Sequence, residues 1–264
     1  MVRHRCRAGA AGALVAWLFA GAGLLQSADG RLNFVSCPIV RDTSSVPCWL
    51  AEYKGELYFL TIQSDVSAPV TPPWLEHRVL VEGTIANEPR ICGGVVLKPV
   101  HLSVLPERDA SCNTMLPAES RYDLTFEPPR PPGPSKGRLA FDPPPASAGP
   151  APAPPTRIVV PYDFDGLVGF NHPRFLSQAL DAARVTKARV IEVVGYRGAV
   201  RLSDGRTMVE AAGIGQRRAE QVAMLLKGAG LTAPTYAVHW QEQPARATGV
   251  DDYLSRRVII TLRP

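Results

Sequence analysis

Val190-Ile191-Glu192-Val193-Val194-Gly195-Tyr196-Arg197 is a short, almost continuous apolar run, rich in β-branched residues and closed by a glycine. A run of that kind reads as a strand buried at the centre of a sheet. Downstream, Val209, Ala212, Ala219, Val222, Leu225 and Leu226 trace an apolar stripe at helical spacing. They predict a long helix over about Thr207 to Lys227, with Gly228 and Gly230 to stop it. Upstream, Arg157-Ile-Val-Val-Pro161-Tyr-Asp-Phe164 reads as a strand that Pro161 confines to an edge or bulge. His172-Pro173 opens a helix with proline in its first turn, and Phe175, Leu176, Ala179, Leu180 and Ala183 then recur at helical spacing. Pro234 to Gln241 and Arg257 to Leu262 supply two further strands. The order β-α-β-α-β-β over residues 157–264 gives an α+β layered sandwich with its helices on one face of the sheet.

Before this module lies a stretch of a different composition. Between Glu127 and Thr156 fall twelve of the chain's 26 prolines, interrupted by apolar groups only at Leu139-Ala140-Phe141. Such a segment donates no hydrogen-bond ladder and favours extended polyproline conformation, at about 3.1 Å per residue. Residues 127–156 are therefore read as a spacer between two independent units. A Pro-rich docking motif is the rival.

The N-terminal unit, residues 33–126, reads as β. Glu56 to Ile62, His77 to Glu82 and Val95 to Lys98 are rich in β-branched and aromatic residues, and Gly55, Gly83, Gly93, Gly94 and many prolines punctuate them. His101 to Leu105 alternates polar and apolar, as a half-buried strand does. The expectation is a small disulfide-stapled all-β domain, either an OB-like barrel or a sandwich. His77 and His101 stand on separate strands without nearby carboxylates and are read as ordinary surface residues, not metal ligands. Trp49, Tyr53, Tyr58 and Trp74 are read as core, with a sugar-stacking platform as the alternative.

The start of the chain points to export. Arg3, Arg5 and Arg7 form a cationic leader head, Ala8 to Leu25 is uncharged and apolar, and small residues follow at Ala20-Gly21-Ala22 and Ser27-Ala28. Residues 1–28 have the layout of a secretory signal peptide. An uncleaved membrane anchor is the alternative. The leader carries Cys6 away and leaves Cys37, Cys48, Cys92 and Cys112, an even set that implies two disulfides in an oxidising compartment. Cys37–Cys48 with Cys92–Cys112 closes the shorter loops and is the favoured pairing of the three. The formal charge of +5 owes three units to the leader arginines, which is too little basic excess to argue for a nucleic-acid partner.

Residues 157–264 resemble the C-terminal domain of the OmpA-like family. There the central strand ends in Gly-His-Thr-Asp, the long helix reads Asn-x-x-Leu-Ser-x-x-Arg-Ala-x-x-Val, and the last strand opens with Asn-Arg-Arg-Val. Gly195 keeps the glycine, Arg218, Ala219 and Val222 keep the helix signature, and Arg256-Arg257-Val258 keep the closing one. Tyr196 and Arg197 replace His and Thr, Gly198 replaces Asp, Ala211 replaces Asn, Ile214-Gly215 replaces Leu-Ser, and Ser255 replaces Asn. The resemblance implies non-covalent docking on peptidoglycan through the diaminopimelate end of its stem peptide. Arg218 is the expected partner of the ligand carboxylate, with Gly195 and Tyr196 beside it. Because the family's Asp is absent, Asp204, in a loop longer than the family's, is the candidate partner for the ligand ammonium. Asp204-Gly205 equally reads as a turn.

No nucleophile elbow, phosphate loop or metal-binding histidine pair occurs, so neither an enzyme nor a cofactor is expected. Two functional readings follow. The first is a periplasmic or outer-membrane-associated protein that its OmpA-like domain tethers to peptidoglycan, while the N-terminal domain engages other envelope proteins. The second is a degenerate OmpA-like fold that serves as a protein–protein interaction module and leaves the cell wall alone.

Overall fold

The computed structural model describes residues 30–62, 72–122, 156–167, 174–232 and 235–264. The leader, His172-Pro173 and nearly all of the proline-rich stretch lie outside these residues.

Seven strands form the N-terminal unit: β1 (Arg31–Ser36), β2 (Pro38–Arg41), β3 (Cys48–Tyr53), β4 (Glu56–Ile62), β5 (His77–Ile85), β6 (Val95–Arg108) and β7 (Thr114–Leu116). They make one sheet in the order β1-β5-β6-β4-β3-β2-β7. Among the described residues the sheet ends at β1 on one side and β7 on the other and does not close, so the OB-like barrel is not formed there. It curls instead, because β6 pairs antiparallel with β5 and, at its first residues, parallel with β4. The curl lets Phe34 of β1 stack on Tyr53 of β3 at 4.7 Å over a core of Trp49, Tyr58, Leu60, Val79 and Val81. Three of the four aromatics expected inside do pack there. Trp74 does not, being 61% exposed beside His77.

Both disulfides form, but in a pairing other than the shorter-loop one. Cys37 bonds Cys112, and Cys48 bonds Cys92. Strand register is the cause. β2 and β7 lie parallel with Ile39 opposite Thr114, and this brings the residues two places earlier, Cys37 and Cys112, side by side. Cys48 sits buried on β3 with Leu50 and Cys92.

The C-terminal unit contains β8 (Arg157–Pro161), α1 (Phe175–Thr186), β9 (Val190–Tyr196), β10 (Ala199–Arg201), β11 (Thr207–Val209), α2 (Ile214–Gly228), β12 (Thr235–Gln241) and β13 (Arg257–Arg263). Its four-stranded sheet runs β12-β9-β13-β8, so the apolar run at Val190 is internal, as its composition demands. Ile158, Val160, Ile191, Val193, Val258, Ile260 and Leu262 all face the two helices, meeting Ala179, Ala182, Ala219, Val222 and Leu226. The module is thus α+β with two helices on one face of an open sheet. The second helix is shorter than the stripe suggested. Thr207 to Val209 pair with β10 as a hairpin, and Gly213, left-handed at φ 73°, separates them from the helix.

The two units are not independent, as the linker composition suggested, but share a seam. Leu80 of the first joins Phe164, Val200 and Leu202 of the second in one buried cluster, with Val35, Leu105 and Met208 packed on it. Asn33 donates from its backbone to Ser203 Oγ at 2.9 Å and from Nδ2 to the carbonyls of Arg201 and Gly249, each at 3.0 Å. Ser203 N–H returns a bond to the Asn33 carbonyl at 2.8 Å, and Phe164 N–H donates to Ser103 Oγ at 2.9 Å. Arg256 crosses the seam to a buried ion pair with Glu82. Burial raises the Glu82 carboxyl above its ordinary value, although Arg256 pulls the other way, so desolvation outweighs pairing here. His101, the cross-strand partner of Glu82, is not an ordinary surface residue. It is half-buried and stacks on Tyr253 at 3.6 Å.

Two outcomes follow from the seam. A chain cut at a protease site engineered between residues 127 and 155 should still elute as one particle and unfold in one transition, and Leu80→Ala should cost it about 2–5 kcal/mol. The second outcome concerns acid. Burial first, and Arg256 second, hold His101 below its ordinary 6.5, against the opposite pull of Asp251. The unfolded chain therefore takes up the proton before the folded one does. Stability from this residue is complete above about 6.5 and declines as pH falls below it. Glu82, raised by burial, works in the opposite sense: its contribution is complete below the ordinary carboxylate value and declines as pH rises above it. Urea unfolding at neutral and mildly acidic pH should show the decline, and His101→Phe should flatten it.

Candidate functional site

The site is built where α2 meets β9. A Cβ placed on Gly195 would lie 1.9 Å from the Gly215 carbonyl oxygen and 3.1 Å from Ala219 Cβ. Only glycine lets strand and helix backbones touch there, so Gly195 fixes the helix on the sheet and offers no surface of its own. One turn later, α2 carries Arg218 into the interior, where it is fully buried with Glu210.

A guanidinium has five N–H donors. In Arg218 all five have acceptors. Nη2 donates to Glu210 Oε1 at 2.6 Å and to the Asp163 carbonyl at 3.0 Å. Nη1 donates to Glu210 Oε2 at 3.0 Å and to the Tyr196 carbonyl at 3.4 Å, and Nε donates to the Gly166 carbonyl at 2.8 Å. The Tyr162 ring lies 4.7 Å from the guanidinium. Burial pushes the Tyr162 phenol up to about 12 although Arg218 draws it down. The Glu210 carboxylate is equally engaged, accepting also from the backbone N–H groups of Asp165 at 2.9 Å and Gly198 at 2.6 Å.

Gly198 stands where the family resemblance expects an aspartate. A Cβ there would meet Arg256 Cγ at 2.4 Å and Ser255 Oγ at 2.8 Å, with Glu210 Oε2 next at 3.2 Å. The space beside Gly198 is thus filled by Arg256, Ser255 and Glu210. Glu210 was not among the residues singled out from the sequence. One signal pointed to it: it is the lone charge in Thr207-Met-Val-Glu210-Ala-Ala-Gly-Ile-Gly-Gln216, a stretch otherwise small, apolar or neutral.

The other candidates are placed as follows. The Tyr196 carbonyl touches Arg218, while its ring lies beneath the Arg257 guanidinium at 5.2 Å. On that side it lines an open cleft of about 330 Å³ with Arg197, Gln241, Gln243 and Ser255. Asp204 makes the turn its sequence suggested. Its Oδ1 accepts from Arg206 N–H at 2.9 Å and its Oδ2 from Arg206 Nε at 2.7 Å. The backbone bond from Arg206 first, with the Arg206 side chain behind it, holds its carboxyl below the ordinary range against the opposing pull of desolvation. Arg218, Gly195 and Tyr196 are therefore together, and Asp204 makes its bonds in the β10–β11 turn, with Arg206 and not with Arg218. Arg217 is exposed on the outer side of the helix.

No protein-family model matches this chain, and no curated protein matches it. Among solved structures, it is similar to a MotB-like protein from Desulfovibrio vulgaris. The identity is 18%, the match covers 40% of this chain and 73% of that one, and the TM-score is 0.32. A likeness that loose carries no argument about the site.

The geometry makes Arg218 a structural residue of the first rank. Arg218→Ala, which strands the Glu210 carboxylate in the interior, should destabilise the protein by about 3–5 kcal/mol. Arg218→Met with Glu210→Leu removes both charges but leaves the carbonyls of Asp163, Gly166 and Tyr196 and the N–H groups of Asp165 and Gly198 without these partners, so it should recover only part of that loss in urea unfolding. Recovery would be absent if the two residues acted separately.

Proposed function

We propose that this chain is a non-enzymatic cell-envelope protein whose C-terminal module serves protein–protein interaction and does not hold a peptidoglycan stem through Arg218. The observation that carries this is the saturation of Arg218. A ligand carboxylate could reach it only by displacing Glu210, which is itself held by four donors, or the buried carbonyls of Asp163, Gly166 and Tyr196. Export belongs to the proposal. The leader-like residues 1–28 and the two disulfides agree with an oxidising compartment. Among the described residues, no helix is long and apolar enough to cross a membrane. The non-enzymatic part of the reading rests on the sequence, which has no nucleophile elbow, phosphate loop or metal-binding histidine pair.

Peptidoglycan tethering survives as a second reading because of one feature, the open cleft beside Tyr196, where Arg257 and two glutamines face solvent-accessible space. Co-sedimentation with purified sacculi separates the two readings. Full-length protein should stay in the supernatant at low salt. Pelleting would overturn the interaction reading, and loss of that pelleting in Arg257→Ala would assign the binding to the Tyr196 cleft.

A further inference from the structure

Each unit has a core of its own. One is drawn from Phe34 to Leu102, the other from Ile158 to Leu262, and neither takes a residue from across the seam. The apolar contact between them is the small cluster of Leu80 with Phe164, Val200 and Leu202. The polar part of the seam is incompletely satisfied. Arg256 and Glu82 are almost wholly buried, yet Arg256 Nε, Arg256 Nη1 and Glu82 Oε1 have no hydrogen-bonding partner in the protein. A buried polar atom without a partner carries a desolvation cost that is relieved when water reaches it. Beside this pair lies a cavity of about 40 Å³, room for a water, lined by Glu82, His101, Asp251 and Tyr253 among others.

We propose that the seam is an acid-operated clasp: protonation of His101 parts the two units, each of which keeps its own core while residues 123–155 tether them. His101 belongs to the first unit and closes the clasp by stacking on Tyr253 of the second at 3.6 Å. Glu82 faces it from β5, Arg256 and Asp251 from the segment before β13, and Arg31 from β1, 3.8 Å from Asp251. Asp252, which faces Glu82, is held by the N–H groups of Arg201, Thr248 and Gly249. Parting the units rehydrates His101 and takes Arg256 away from it, the two causes that hold it below its ordinary 6.5 in the closed seam. The open form therefore binds the proton more tightly, and acid favours opening. A charged ring in the closed seam also adds a third cation to Arg256 and Arg31. Glu82 works against this, since burial raises its carboxyl and protonation there favours the closed form. His101 governs while Glu82 is still ionised, so the clasp operates in the mildly acidic range.

Opening of this kind needs no ligand and is independent of whether the protein binds sacculi. Small-angle scattering of the full chain should show its radius of gyration rising by at least about a fifth between neutral pH and about pH 5.5, as two tethered bodies replace one. Far-UV circular dichroism should not change, and the compact form should return on neutralisation. His101→Phe keeps a ring against Tyr253 without a titratable group and should stay compact at the acid pH. His101→Gln takes its place if the Phe variant is not folded at neutral pH. A wild-type chain that stays compact at about pH 5.5 overturns the proposal. So does one that expands only as its dichroism is lost, or one whose expansion the His101 variant shares.

Discussion

The bidentate pair of Arg218 and Glu210 is the contact on which the C-terminal module is organised. Through its guanidinium, α2 is bound to the turn at Asp163–Gly166 and to the end of β9 at Tyr196. Through its carboxylate, the segment leading into that helix is bound to Asp165 and Gly198. Two buried charges are costly in an apolar interior unless every donor and acceptor is met. Here every guanidinium donor is met, and most of the partners are backbone groups that would otherwise lie unsatisfied where loops enter the core.

A second buried pair stands directly behind the first. Gly198 is squeezed between Glu210 and Arg256, and Arg256 reaches past it to Glu82 in the other unit. Glu210 is close enough to Glu82 to contribute to raising its carboxyl, although burial is the main cause. The interior of one module and the seam between the two are thereby joined through a single glycine. The arrangement gives a physical reason why a residue with no side chain occupies that position.

Much of the architecture was legible in the chain. Apolar runs and spacing located β9, α1 and β13 because each buries residues in the core, whereas β12, none of whose residues is fully buried, was read only as a segment between Pro234 and Gln241. Periodicity misread Thr207–Val209 as helix because three residues are too few to separate one period from the other, and tertiary pairing with β10 decided the matter. The cysteine count gave two disulfides, yet loop length was the wrong guide to pairing, since strand register, a long-range property, placed Cys37 beside Cys112. The seam left no trace in composition. Its contacts come singly from Asn33, Glu82, His101, Ser103, Phe164, Ser203, Tyr253 and Arg256, and no spacing rule connects them. The candidate site was half legible: the resemblance pointed to Arg218, but the acid that occupies it was concealed inside an expected helix.

The pairing of Cys37 with Cys112 also has a mechanical meaning. The bond closes a ring of 75 residues in sequence separation, and the Cys48–Cys92 bond is nested inside it. Tension applied between the chain before Cys37 and the chain after Cys112 runs from sulfur to sulfur and bypasses everything between. The chain between the two cysteines therefore cannot be drawn out by that load, which falls instead on the strands outside the ring, β1 with its Phe34 against β5 and β7 against β2.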